Sequence, residues 1–226
     1  MVSIERPILR LHRSLAVDEH HRYRSWGHCY RYFRQRKRIR AEQDIAHAAL
    51  QLGFYLASWG MYRNSFLLWK DYRIHMYAVR ELLKQKYDPL LRIDFDSPGD
   101  TETAIPRIVA LVAALRQAYV DHAGMVNGRR KGVNVTDTLA TKIVLAAFGC
   151  TPAYDSYFVQ GLRSRGIPFS DFNEAHFATV CEFYRDHVSE FKRVRRRIHE
   201  NGIKYPVMRL VDMYFWEVGR RISERA

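Results

Sequence analysis

The sequence predicts an all-α fold, a compact bundle of about seven to eight helices forming either one body or two helical lobes. Apolar residues recur at three- and four-residue spacing through most of the chain. No run alternates apolar and polar residues as a half-buried strand would, and no internal repeat is present. Hydrophobic residues make up 47% of 226, ample for a packed interior in a single helical domain.

Residues 1–18 read as irregular, because charges interrupt each apolar cluster. A helix is expected from about Glu19 to Arg40, with Trp26, Tyr30 and Phe33 in one aromatic stripe. Residues 43–59 read as a buried helix ended with the help of Gly60. A third helix is expected over 65–86, stopped by Asp88-Pro89. The acidic segment 94–101, with Pro98 and Gly99, is a loop and the best place for a lobe boundary. Residues 102–122 are expected to form a fourth helix with Ile105, Ile108, Val109, Val112 and Leu115 on its core side. The glycine- and asparagine-rich stretch 124–135 is a tight basic turn. A helix then starts at Thr136 or Asp137, both good N-caps, and runs to about Phe148. The turn after it leads into another helical segment. A long helix is expected over 173–200, ended by Asn201-Gly202, and a last one over 204–223 with Pro206 in its first turn.

Thirty-seven Lys and Arg against 24 Asp and Glu give a formal net charge of +13. Such an excess points to phosphate backbones or anionic surfaces as partners. Residues 1–40 alone hold eleven basic and three acidic residues. Further basic runs are Arg129-Arg130-Lys131 and Lys192–Arg197, each readable as phosphate contact or as a solvated face. The longest apolar runs, near 52–61 and 108–115, are too short to span a bilayer, so no membrane partner is expected. The N-terminus has neither an apolar h-region nor a cleavage site. Cys29, Cys150 and Cys181 are too scattered for a disulfide framework or a zinc site. They read as reduced, mostly buried thiols of a cytoplasmic protein, with no metal and no cofactor expected. Homo-oligomerisation is left open.

Residues 132–155 form the most informative segment. A turn containing Gly132-Val133-Asn134 enters a helix that ends at Ala147-Phe148-Gly149, and Pro152 stands three residues before Asp155. Over 132–158 this order resembles the core of the helix-hairpin-helix DNA glycosylase superfamily, with its GVG-type hairpin, its Ala-Phe-Gly-like helix end and its following aspartate. The resemblance implies a helix-hairpin-helix-like segment at 129–148, DNA favoured over RNA as partner, and Asp155 as the catalytic acidic group. Hairpin N–H groups and a helix N-terminus suit a phosphate, and a carboxylate at a helix start can stabilise positive charge developing on a sugar. The sequence departs from the family pattern at two points. Asn134 stands where the second glycine is expected. Thr136, Asp137 and Thr138 occupy the place of the nucleophilic lysine, with Lys142 a turn or more too far along. The implied activity is therefore monofunctional base processing, without strand cleavage. Nucleic-acid contact is expected from Arg129, Arg130, Lys131, Gly132, Asn134 and Thr136, and from Arg193 and Arg196 of the later basic run.

Two other readings stay open. Arg22 and His28 have the Arg-x5-His spacing of the HEPN RNase domains, whose paired Arg and His cleave RNA by acid–base chemistry in a dimer cleft; Arg193 and His199 repeat it. Alternatively the protein binds without catalysis. The aromatic stretch 53–75 reads either as tight helix packing or as a pocket of Tyr55, Trp59, Tyr62 and Arg63 for a flat ligand such as a base.

Overall fold

The computed structural model describes residues 3–126, 128–130, 132–198 and 202–225. Among the described residues the apolar periodicities resolve into ten α-helices: α1 (Glu5–Val17), α2 (Ser25–Arg34), α3 (Glu42–Ser58), α4 (Ile74–Leu82), α5 (Pro98–Ala123), α6 (Asp137–Ala147), α7 (Ser156–Arg163), α8 (Glu174–Asp186), α9 (Val188–Arg197) and α10 (Val207–Ser223). The fold is all-α. Its only described strands, β1 (Met125–Val126) and β2 (Arg129–Arg130), form a two-residue antiparallel ladder in the α5–α6 connection, where the sequence predicts a turn and no strand.

Several elements differ from expectation. The expected loop 94–101 is a loop only as far as Ser97, whose side chain caps α5 with Pro98 in its first turn, and the expected stop at Asp88-Pro89 lies inside a 3-10 helix, Gln85–Arg92, after α4 has already ended. Residues 5–17 are helical and not irregular: Ile4, Ile8, Leu11 and Leu15 make a buried stripe, and the charges that hide it lie on the other faces. The expected helix over 19–40 is three pieces, a 3-10 turn at Arg22–Arg24, then α2, then a 3-10 turn at Arg36–Arg38. Arg36 turns inward there, and its guanidinium donates to the Leu82 carbonyl (2.8 Å) just past the end of α4's ladder. The expected helix over 65–86 is a 3-10 turn at Phe66–Trp69, capped by Ser65, followed by α4. The Asp71 carboxylate accepts from the Arg73 backbone N–H (2.9 Å) and breaks the run between them. The expected helix over 173–200 is split into α8 and α9 at His187, whose ring Nδ1 sits 2.9 Å from the Phe183 carbonyl.

One continuous cluster of buried side chains draws on all ten helices. α10 lies at its centre, buried on nearly every face, with α7 laid along it. Gly161 and Gly219 permit that approach: a Cβ on Gly219 would stand 1.9 Å from the Tyr157 carbonyl oxygen, and one on Gly161 would stand 2.1 Å from that of Phe215. The segment before α5 is held to α8 and α9, because Asp96 accepts from Tyr184 (2.7 Å) and pairs with Lys192, and Asp94 pairs with Arg195. Among the described residues α5 is the one helix long and apolar enough to cross a membrane. Here its stripe of Ile105, Ile108, Leu111 and Leu115 packs into the core.

Candidate functional site

α6 organises the polar features. Its sequence is apolar enough to be buried along its whole length, so whatever lies at its ends and middle is fixed in place. The Thr136 hydroxyl caps its start by accepting from the Leu139 N–H (3.2 Å). Its end is set by Gly149, at φ +68, a left-handed position that favours glycine. A Cβ on Gly149 would also stand 2.2 Å from Pro206.

In the middle of α6, Lys142 is buried and donates to Asp155 Oδ2 (2.8 Å). Asp155 Oδ1 accepts from the Phe158 N–H (3.0 Å) and caps α7. On α10, Arg209 pairs with Asp212, and both are about 1% exposed. Asp212 Oδ1 also accepts from the Ala153 N–H (2.9 Å). The indole of Trp59 joins the two pairs, with Lys142 Nζ at 4.6 Å and the Arg209 guanidinium at 5.2 Å from its ring centroid. Tyr23 covers that indole at 4.4 Å between ring centroids. The result is a largely buried, charge-balanced cluster of two cations and two carboxylates, with Asp155 at its partly exposed edge and Arg209 Nε without an acceptor among the described residues. Burial pushes the Asp212 carboxyl up from its usual value against the opposing pull of Arg209.

At the C-terminal end of α6 lies an open groove of about 410 Å³. Arg31 and Arg34 of α2, Arg92, Arg195 of α9 and Lys204 line it, with Phe148 and Pro206 as apolar floor. The one acid in its lining is Asp94, which pairs with Arg195 (3.1 Å). Arg34 donates to a backbone carbonyl, that of Leu91. No carboxylate pairs with Arg31, Arg92 or Lys204 among the described residues, and Arg31 Nε and one of its terminal amines are covered without an acceptor. Buried and open regions thus use the same residue types in opposite balance.

At the N-terminal end of α6 is a second open cleft, of about 610 Å³. The turn after α3, with Gly60, Arg63 and Asn64, faces Gly132, Asn134 and Thr136 across it, and Trp69 stands at its edge. An α-helix of eleven residues separates the two openings by about 16 Å.

The expected site residues fall into these regions unevenly. Gly132, Asn134 and Thr136 line the second cleft together with Arg63. The other three residues of the expected aromatic pocket do not join Arg63 there. Tyr55 is fully buried, Trp59 belongs to the buried cluster, and the Tyr62 hydroxyl bonds His75 Nε2 (2.8 Å) deep under the turn. Tyr55 lies on the core face of α3, and Trp59 and Tyr62 follow the helix end and turn inward to other partners, so the pocket does not form. Arg129 is exposed on β2; the Arg130 side chain, Lys131 and His199 lie outside the described residues. Arg193 pairs with Glu5 of α1 (3.1 Å), and Arg196 is exposed. Arg22 donates to the Tyr23 hydroxyl (2.7 Å), His28 is exposed on α2, and no hydrogen bond joins the two among the described residues. Asp155 has each oxygen engaged.

Sequence reasoning did not single out Arg31, Arg34, Arg92 or Lys204, reached Arg195 only within the run Lys192–Arg197, and read Trp69 as an apolar helix position. Arg92 and Lys204 are isolated charges and carry no sequence signal. A lone lysine inside the apolar run of α6 did carry one, since a buried ammonium requires a counter-ion. The three cysteines are buried and free, and burial pushes each thiol up, Cys181 to about 12. Among the described residues no group of three or more His, Cys, Asp or Glu could hold a metal ion. No family model, curated protein or solved structure matches the chain.

Proposed function

We propose that this protein binds nucleic acid through the phosphate backbone, with the groove at the C-terminal end of α6 as the main contact. The observation that carries the reading is the charge imbalance of that groove: five cations around about 410 Å³ with one carboxylate, itself committed to Arg195. Two of the basic clusters of the sequence, residues 6–40 and 192–197, supply Arg31, Arg34 and Arg195 to it. Arginine forks match phosphate oxygens in pairs, and an apolar floor excludes water from the contact.

DNA, the partner implied by the resemblance of residues 132–158, is the first ligand to test. Chemistry on the bound strand is not part of the proposal. In this structure Asp155 pairs with Lys142 and caps α7, which accounts for its carboxylate without a catalytic role. Titration of a labelled DNA at several salt concentrations tests the reading, with Arg31→Glu and Lys204→Glu as variants. Affinity is expected to fall steeply with salt through counterion release, and each variant to lower the slope of log K against log salt by about one.

A further inference from the structure

We infer that the cleft at the N-terminal end of α6 stacks unpaired bases on Trp69, so that single-stranded nucleic acid is the preferred ligand. The inference rests on the nucleic-acid reading above and adds to it a ligand class and a second contact.

Trp69 is 65% exposed, whereas Trp26 and Trp216 are 1% and 4% exposed and Trp59 is committed to the buried cluster. Its exposure is not looseness. Trp69 ends the 3-10 turn 66–69, and that turn is anchored by the fully buried Leu67, by Phe66 packed edge-on to Tyr119 at 5.8 Å, and by the Ser65 cap. A rigid base that holds a large aromatic in solvent suits a ligand with a flat apolar face. The indole lines the 610 Å³ cleft and also a neighbouring one of about 590 Å³, so it stands as a wall between two openings.

The surroundings select the ligand. Asn64 and Asn134 are exposed and offer amide donors and acceptors of the kind that pair with base edges. Arg63 lines the same cleft with no carboxylate partner among the described residues; on the far side of Trp69 the neighbouring cleft holds Lys70, which donates to the Met125 backbone carbonyl, and Glu42 and Asp71, which pair with Arg80 and Arg73. An aromatic face flanked by amides and an unneutralised cation fits a base and its phosphate. Within a duplex each base is already stacked on its neighbours, so a protruding indole reaches only unpaired ones.

The test compares a short oligodeoxythymidylate with a duplex of equal length at one salt concentration, and follows acrylamide quenching of tryptophan emission in each complex. The single strand is expected to bind the tighter and to shield Trp69 from quencher. Trp69→Ala should weaken single-strand binding by about tenfold, the usual scale for one lost base–aromatic stack, and leave duplex binding unchanged. Trp69→Phe should restore part of the loss. Because Trp69 is exposed, both variants should unfold at the wild-type temperature. Equal affinity for the two ligands, or unchanged single-strand affinity in Trp69→Ala, overturns the inference and leaves the backbone-binding proposal standing. Failure of both ligands to bind the wild-type protein overturns both.

Discussion

Lys142 and Arg31 are both cations packed about α6, and their surroundings differ chiefly in how many carboxylates they meet. Lys142 and Arg209 each have one, and aromatic rings close over both pairs. Arg31, Arg34, Arg92, Arg195 and Lys204 share one among five and face an opening. In the closed region each cation is paired with one carboxylate inside the protein, because an unpaired charge costs several kcal/mol when buried. In the groove the exposed parts of these cations meet water until a polyanion replaces it, while Arg31 Nε and one of its terminal amines are covered. A basic net charge therefore says little by itself. Whether a cation supports the fold or recruits a partner depends on its local carboxylate count and on access.

This contrast can be broken most forcefully from the buried side. Asp212→Ala strands Arg209 and removes the acceptor of the Ala153 N–H, so it should destabilise the protein by about 3–5 kcal/mol. Urea denaturation measures it, and a loss under about 1 kcal/mol would show that the cluster is not buried. At temperatures where the variant is folded, its nucleic-acid affinity should equal that of the wild type, since the groove is untouched.

A second effect arises at His75, the buried ring held between the Tyr62 and Tyr119 hydroxyls at 2.8 and 2.6 Å. Burial pulls its pKa down from 6.5 to about 4. The unfolded chain then binds the extra proton between those values, so stability is full above pH 6.5 and is lost as pH falls toward 4. The expected loss is on the order of 3 kcal/mol. His75→Gln should remove this component from the stability–pH curve, and a curve of unchanged shape would refute the assignment. Asp212, whose pKa is raised, acts with the opposite sign, so only the difference between variant and wild type isolates His75.

The groove gives the smallest change in stability and the clearest one in binding. Lys204→Glu, at an exposed groove residue, should weaken DNA affinity by roughly tenfold or more and leave stability within about 0.5 kcal/mol of wild type. Arg193→Glu is the contrasting control: Arg193 pairs with Glu5 away from the groove, so its effect on binding should be the lesser.

The all-α class, the Thr136 cap, the Phe148-Gly149 stop and the buried cysteines were legible, because each depends on a few adjacent residues. Helix breaks were not. The interruption at His187 depends on one side-chain contact, and Arg36 turns inward because α4's last carbonyls need donors from elsewhere in the chain. The candidate site was legible only where sequence neighbours share it, as at Gly132, Asn134 and Thr136. The groove joins residues from α2, the segment before α5, α9 and the segment before α10. Its charge was visible in the composition, but its assembly depends on tertiary packing.

The salt dependence of DNA binding tests the central claim most directly. A linear fall of log K with log salt concentration is expected, with a slope of about −3 to −5 for a groove of five cations and a shallower slope in Arg31→Glu and Lys204→Glu. An affinity that is flat in salt, or a slope the two groove variants leave unchanged, would contradict it.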